Sequence, residues 1–267
     1  MPYKLVCSDI DGTLLNKDRE LSSATIEQVK RLAPIPFVLI SSRMPAAMHH
    51  LQKEFGNEST PLVAYNGGLL LDKNRILHSC FIENDILETI IEKSQDTDIH
   101  LSLFHHDEWY VPSMDYWAKR EENNTKVTPE ILDNKSVLHK WRNEGKGAHK
   151  IMAMGPDYEI EELYHTLEEL FPNEIHLYRS KDTYIEISHA SISKKTAIDT
   201  LIEGYYPELT LKEVVAFGDN YNDIEMLKAV GLGVAVSNAK DEVLAIADSV
   251  TETNKHDGVA IALGGIF

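Results

Sequence analysis

Short apolar runs, each closed by small or acidic polar residues, recur along the chain. Leu5-Val6-Cys7-Ser8 leads into Asp9-Ile10-Asp11-Gly12-Thr13, the pattern of a buried strand that ends in a polar turn. Phe37-Val38-Leu39-Ile40 leads in the same way into Ser41-Ser42-Arg43, and Leu62-Val63-Ala64-Tyr65 into Asn66-Gly67-Gly68. Between the first two runs, Ile26, Val29 and Leu32 keep helical spacing, with Ser22 or Ser23 placed to cap a helix over 21–32. Pro45 to Phe55 reads as a second helix with Gly56 as its stop. Leu69-Leu70-Leu71 and Ile76-Leu77-His78 predict a hairpin. The alternation resumes near the C-terminal end. There the pattern predicts strand Val214–Phe217, helix Asp223–Val230, strand Gly233–Val236, helix Asp241–Ala247 and strand Ser249–Thr251. Strands and helices alternating in this way predict a parallel sheet with helices on its faces.

The middle of the chain breaks the pattern. Residues 82–186 are richer in charge, histidine and aromatics. They hold helical spacing at Asn84–Lys93 and Ile160–Leu170 and alternating segments at His149–Met154 and Thr183–Ile187. The expected architecture is therefore α/β: a Rossmann-like parallel-sheet core built from 1–81 and 187–267, with an inserted α+β cap domain over 82–186. A chain of 267 residues has room for both.

Charge narrows the partners. With 26 basic and 43 acidic residues the net charge is −17, a surface that repels nucleic acid and anionic membrane. No run of 18 apolar residues exists to span a bilayer, and Met1-Pro2-Tyr3-Lys4 opens no signal-peptide pattern. With only two cysteines, Cys7 and Cys80, the first within an apolar run, no disulfide framework is expected, and a reducing, cytoplasmic setting is. Cys7, inside an apolar run, reads as a buried small hydrophobe. The expected state is a monomer or weak homodimer. So acidic a protein would repel any anionic small molecule at long range, and binding one would require cations gathered at the site itself.

Three polar clusters follow three separate strands: Asp9/Asp11, Ser41/Ser42/Arg43 and Asp219/Asn222/Asp223. In an open parallel sheet, ligands bind beyond the carboxyl ends of the strands, so all three would meet at one place. Asp9 and Asp11 repel each other, and a hard divalent cation such as Mg2+, with Asp219 and Asp223 beside it, would relieve that repulsion. No Cys or His cluster has zinc spacing. With a metal in place Asp9 suits a carboxylate nucleophile attacking phosphorus, and Asp11 a general acid/base. A lysine to neutralise the transferring group is offered by Ser193-Lys194-Lys195, with Lys194 the candidate and Lys195 the fallback. Gly12 permits the tight turn after the acids and Thr13 can tie it by hydrogen bonds. His100, His105, His106 and His149 read as packing or surface residues, as do Trp109, Tyr110 and Trp117.

Asp9-Ile10-Asp11-Gly12-Thr13-Leu14 resembles the first motif of the haloacid dehalogenase superfamily phosphatases. Ser41-Ser42-Arg43 resembles the second, Ser193-Lys194 the third and Gly218-Asp219-Asn220-Tyr221-Asn222-Asp223 the fourth. The long insertion between the second and third motifs, the Asn66-Gly67-Gly68 turn and Asp257-Gly258-Val259 are similar to the Cof-type (subclass IIB) members. The resemblance implies a magnesium-dependent phosphatase acting through an aspartyl-phosphate on Asp9, with sugar phosphates the commonest substrate class. It implies metal ligands at Asp9, Asp219 and Asp11, the last through its backbone carbonyl. It implies phosphate contacts at Ile10, Ser41, Ser42, Lys194 and Asn222, with Asp223 and Arg43 in supporting positions. Ser42 stands where the family usually has Gly, and Lys195 where it often has Gly. A phosphomannomutase-like phosphotransferase and a non-catalytic phosphoester-binding regulator are the alternatives.

Overall fold

The computed structural model describes residues 2–267, apart from the side chain of Ser180. The chain divides into two compact units, 1–78 with 193–267, and 79–192.

In the first half of the larger unit, β1 (Leu5–Ser8), α1 (Ser23–Arg31), β2 (Phe37–Ile40), α2 (His49–Phe55) and β3 (Leu62–Ala64) alternate, followed by β4 (Leu69–Asp72) and β5 (Arg75–Ser79). The insert carries α3 (Asn84–Lys93), β6 (His100–His105), β7 (Glu108–Val111), α4 (Tyr116–Thr125), β8 (Glu130–Ile131), α5 (Asn134–Glu144), β9 (Lys150–Met154), α6 (Asp157–Leu170), β10 (Ile175–Lys181) and β11 (Tyr184–His189). The larger unit resumes with α7 (Lys194–Gly204), β12 (Val214–Gly218), α8 (Ile224–Ala229), β13 (Leu232–Val236), α9 (Asp241–Leu244), β14 (Ser249–Thr251) and α10 (Gly258–Ile266).

The larger unit is the expected doubly wound α/β core. Its sheet has the order β14-β13-β12-β1-β2-β3-β4-β5, parallel from β14 through β3 and antiparallel at β3–β4. The central strands are apolar throughout because both faces are covered. Leu5, Cys7, Val38, Ile40, Val214 and Ala216 pack against Ala197, Ile198 and Leu201 of α7 and Met226 and Leu227 of α8. Their neighbours Val6, Phe37, Leu39, Val215 and Phe217 are equally buried by alternation on the opposite face. On that face Phe37 meets Phe55 of α2 edge to face, with ring centroids 5.5 Å apart. Each such side chain removed from water contributes about 1.5–3 kcal/mol.

α1 begins where Ser22 accepts from the Thr25 N–H, so Ser22, not Ser23, is the cap. The helix expected over Pro45–Phe55 is divided. A 3-10 turn at Pro45–Ala47 precedes α2, with Met48 at φ −123° between them.

The insert is an α+β layer pair. Its sheet has the order β10-β11-β9-β6-β7-β8, antiparallel except for β7–β8. Leu101, Leu103, Ile151, Ala153, Ile185 and Ile187 on one sheet face pack against Leu87 and Ile90 of α3, Trp141 of α5 and Ile160 and Leu163 of α6. The unit runs over 79–192 rather than 82–186, because β11 extends to His189 and pairs with both β9 and β10. Among the described residues no helix is long and apolar enough to cross a membrane.

Trp141 is fully buried, and its indole N–H donates to Glu108 Oε2 at 3.0 Å. Trp141→Ala should therefore cost about 3–5 kcal/mol, read from urea unfolding. A loss under about 1 kcal/mol would contradict its place in the insert's core.

Candidate active site

Parallel pairing brings three strand ends together. Ser8 lies opposite Leu39 on one side and Phe217 on the other, so Asp9, Ser41 and Asp219 each leave the sheet at the same edge. The Asp9 N–H still donates to Phe217 O at 3.0 Å, which fixes the main chain at Asp9. Past Asp9 the chain turns sharply. Gly12 has φ +89°, and a Cβ there would lie 2.5 Å from Asp219 Oδ2. Only glycine satisfies both conditions. Thr13 Oγ1 then donates to Asp219 Oδ1 at 2.7 Å, tying the first loop to the fourth motif.

Lys194 is the first residue of α7, whose start is fixed by a capping box between Ser193 and Thr196. Its side chain is fully buried, and Nζ donates to Asp9 Oδ1 at 2.5 Å and Asp223 Oδ1 at 2.6 Å. Lys195 instead pairs with Asp199 on its own helix at 2.6 Å, so Lys194 is the lysine of the site. Asp223, wholly buried, accepts from the main-chain N–H groups of Asp219 and Asn220 through Oδ2, both at 2.9 Å. It thus holds Lys194 with one oxygen and the fourth-motif loop with the other.

The hairpin turn braces the second motif. Asn66 N–H donates to Ser41 O at 2.8 Å and Tyr65 N–H to Arg43 O at 3.1 Å. Asn222 reaches the same turn, donating through Nδ2 to Asn66 Oδ1 at 3.2 Å. Ser41 is buried, and its oxygen accepts from the Arg43 N–H at 3.2 Å, which leaves the hydroxyl proton for another acceptor. Ile10 is buried beside Asp9.

Asp9 and Asp11, one residue apart, bond to different partners. Asp11 is gripped bidentately by Arg43, Nε to Oδ2 at 2.6 Å and Nη2 to Oδ1 at 2.7 Å, and Arg19 Nη2 adds a third contact at 2.8 Å. The carboxylates whose oxygens converge, all within 4.8 Å of one another, are those of Asp9, Asp219 and Asp223. Arg19 carried no signal in the sequence. It stands in a loop, at φ +63°, eight residues from its partner.

Electrostatics divides these acids. Burial pushes the Asp9 carboxyl well above the usual range, and the charges of Asp223 and Asp219 add to this while Lys194 opposes it. Burial likewise lifts Asp219, to about 6, against the hydrogen bond from Thr13. For Asp11 burial also acts upward, but the hydrogen bonds and charges of Arg43 and Arg19 outweigh it and hold the carboxyl below its ordinary value. Burial would lower Lys194, yet Asp223 and Asp9 more than offset it and keep the ammonium protonated. Three carboxylates thus face one lysine. An oxygen-only donor set with surplus negative charge fits a hard divalent cation. Among the described residues this is the one grouping of acids, histidines or cysteines with ligand geometry, so the histidines of the insert form no metal site. His100 bonds Asp115 and Ser102, and His105 bonds Gly147 O, as packing residues do.

A buried lysine among strand-end acids, at the carboxyl ends of central parallel strands, is suited to binding and transferring a phosphoryl group. The chain belongs to the haloacid dehalogenase-like hydrolases, whose family model matches residues 6–263. It is 35% identical to a Haemophilus influenzae protein named "Putative phosphatase", with 98% of each chain covered. It is 30% identical to the 5-amino-6-(5-phospho-D-ribitylamino)uracil phosphatase YcsE of Bacillus subtilis, over 97% of this chain and 94% of that one. The crystal structure of a haloacid dehalogenase-like hydrolase from Bacteroides thetaiotaomicron superposes with a TM-score of 0.90 at 27% identity, covering 99% of this chain and 100% of that one. Family and relatives bear out the expected enzyme class, a phosphatase of this superfamily, and the expected fold.

Two outcomes follow from this electrostatics. Lys194→Met leaves buried carboxylates without their counter-ion and, with chelator present, should cost about 3–5 kcal/mol at pH 7.5. A carboxyl whose folded pKa is raised binds more protons folded than unfolded, so that deficit should shrink as the pH falls toward 5. A deficit that grows on acidification would contradict the pairing. Protons also compete with a cation for Asp219. Calorimetric titration with Mg2+ should therefore show affinity about tenfold weaker at pH 5.0 than at pH 7.5, whereas equal affinities would place the ion elsewhere.

Proposed function

We propose that the protein is a Mg2+-dependent phosphatase that hydrolyses a small phosphomonoester in two displacements, with Asp9 as nucleophile. The observation that carries this reading is the buried Lys194 bridge between Asp9 and Asp223, beside a cluster of acid oxygens in need of a cation. Asp9, Asp219 and the Asp11 carbonyl would hold the ion, with Asp223 behind them. When bound it would neutralise the acids and draw charge from the phosphoryl oxygens.

In the first displacement an Asp9 oxygen bonds to phosphorus as the ester oxygen departs, taking a proton from Asp11. In the second, water attacks the phosphorus of the aspartyl-phosphate, Asp11 takes its proton, and Asp9 leaves as carboxylate. Lys194, the Ser41 hydroxyl, the Ile10 and Ser42 main chain and Asn222 receive the phosphoryl oxygens. Arg43 and Arg19 hold Asp11 ionised, the state that deprotonates water. To protonate the leaving group Asp11 must exchange these partners.

The substrate we infer is a primary phosphate on a polyhydroxylated carbon chain, a sugar or polyol phosphate. A ribityl phosphate in the name of the Bacillus relative supports that chemistry. Selection among such esters falls to the insert, 79–192, acting as a cap. The phosphomannomutase-like alternative requires basic side chains in the insert for a second phosphate. Several of them are committed within it: Lys140 to Glu108, Arg142 to Asp85 and Glu88, and Arg179 to Glu161. Cys7 and Cys80 are both free thiols, which suits the cytoplasm.

Phosphate release from a panel of metabolite phosphates, with and without Mg2+, tests the reading. Release should require the metal, rank sugar and polyol phosphates highest, and fall by about a thousandfold or more in Asp9→Asn. Isomerised sugar phosphate in place of inorganic phosphate would establish the mutase, and an Asp9→Asn protein as active as the parent would remove Asp9 from the chemistry.

A further inference from the structure

Asp257-Gly258-Val259 lies far along the chain from Asp9, and nothing in the proposed chemistry uses it. Its local structure is nonetheless constrained. Asp257 has φ +58°, and a Cβ on Gly258 would lie 2.0 Å from Glu252 O, so the loop 252–258 closes only with glycine there. Gly258 N–H donates to Thr253 O at 3.1 Å, and Thr251 Oγ1 donates to Gly258 O at 2.7 Å.

The closed loop presents Asn254 to the catalytic loop. Asn254 Nδ2 donates to Leu15 O at 2.7 Å, and its main-chain N–H donates to Asn238 Oδ1 at 2.8 Å. Asn238 Nδ2 in turn donates to Gly12 O at 2.8 Å. Two residues on from Asn238, the Lys240 N–H donates to Asp219 O at 3.0 Å. The segment after β13 therefore grips both Gly12 and Asp219, which approach so closely that a Gly12 Cβ would lie 2.5 Å from Asp219 Oδ2.

We propose that Asn238 and Asn254 are positioning residues for catalysis: a two-asparagine clamp that sets the Asp9–Thr13 loop against Asp219. The inference rests on the phosphatase reading for its kinetic consequence, but its geometric content is independent of it. The clamp acts on main-chain carbonyls, so a residue with no donor at 238 releases Gly12 whatever else it preserves. Asn238 is exposed, and its hydrogen bonds compete with water, so their contribution to global stability is small. Their effect is on alignment, to which phosphoryl transfer is far more sensitive.

Asn238→Ala, Asn238→Asp and Asn254→Ala separate alignment from stability. Asn238→Asp keeps an acceptor for the Asn254 N–H and loses the donor to Gly12 O, so it should behave as Asn238→Ala does. Each variant should lower kcat about tenfold or more with KM within about twofold, and weaken calorimetric Mg2+ binding by a similar factor, with Tm nearly unchanged. Cation affinity and kcat within twofold of the parent in Asn238→Ala would overturn the clamp, as would an activity loss that merely follows a fall in Tm. Calorimetry reads the acid cluster without turnover. Weakened Mg2+ binding in a protein that hydrolyses none of the esters tried would uphold the clamp and tell against the phosphatase reading alone.

Discussion

A carboxylate held away from bulk water and also ionised meets two demands that conflict. Burial alone drives Asp9 toward its neutral form, and two further acids close by make matters worse. Lys194 resolves part of the conflict. Its ammonium reaches the site from 185 residues away in sequence, wholly buried, and sits between Asp9 and Asp223. A buried ion pair of this kind adds little net stability, since desolvation consumes most of the attraction, yet removing one partner is expensive. The arrangement is therefore held by the fold rather than holding it. What remains uncompensated is negative charge, a surplus that a divalent cation would neutralise.

The fold supplies the necessary rigidity through close backbone approaches. Asp219 lies where a Gly12 side chain would be. Ser193, which starts the lysine's helix, has its carbonyl 2.8 Å from where a Gly67 Cβ would stand. The Asn66 turn thus touches both the Ser41–Arg43 loop and the base of α7. Each contact links segments remote in sequence, so the lysine, the acids and the hydroxyl keep their separations as a set. Asp11 is the exception. It is half exposed and held by two arginines, and in the proposed mechanism this pairing opens before Asp11 gives up a proton.

How much of this the sequence discloses depends on what each residue answers to. β1, β2 and β12 were legible because strands buried on both faces are continuous apolar runs. The insert was less so. β6 carries His100, Ser102 and His105 among its leucines, and α4 buries only Ala118 and Thr125, leaving no stripe to read. The strand-end acids and Ser41 follow from topology once the parallel sheet is inferred. The choice between Lys194 and Lys195 does not. It turns on where α7 begins, and on Asp199 lying one turn on to take up Lys195. The Thr13–Asp219 bond and the two asparagines arise only when distant loops meet, and Arg19 reaches Asp11 within one irregular loop, so no periodic pattern marks any of them. The resemblance singled out Asp257-Gly258, but only the folded chain shows that it closes the loop carrying Asn254.

The covalent role of Asp9 is the claim on which the account stands. Acid-quenching the protein within the first turnover of a substrate, then mapping peptide masses, reads that role directly. The account predicts a peptide spanning Asp9 that carries one added phosphoryl group, lost once the substrate is exhausted and absent from Asp9→Asn. Hydrolysis that proceeds at full rate with inversion at phosphorus and no phosphorylated peptide would contradict it, because water would then attack the ester in a single displacement.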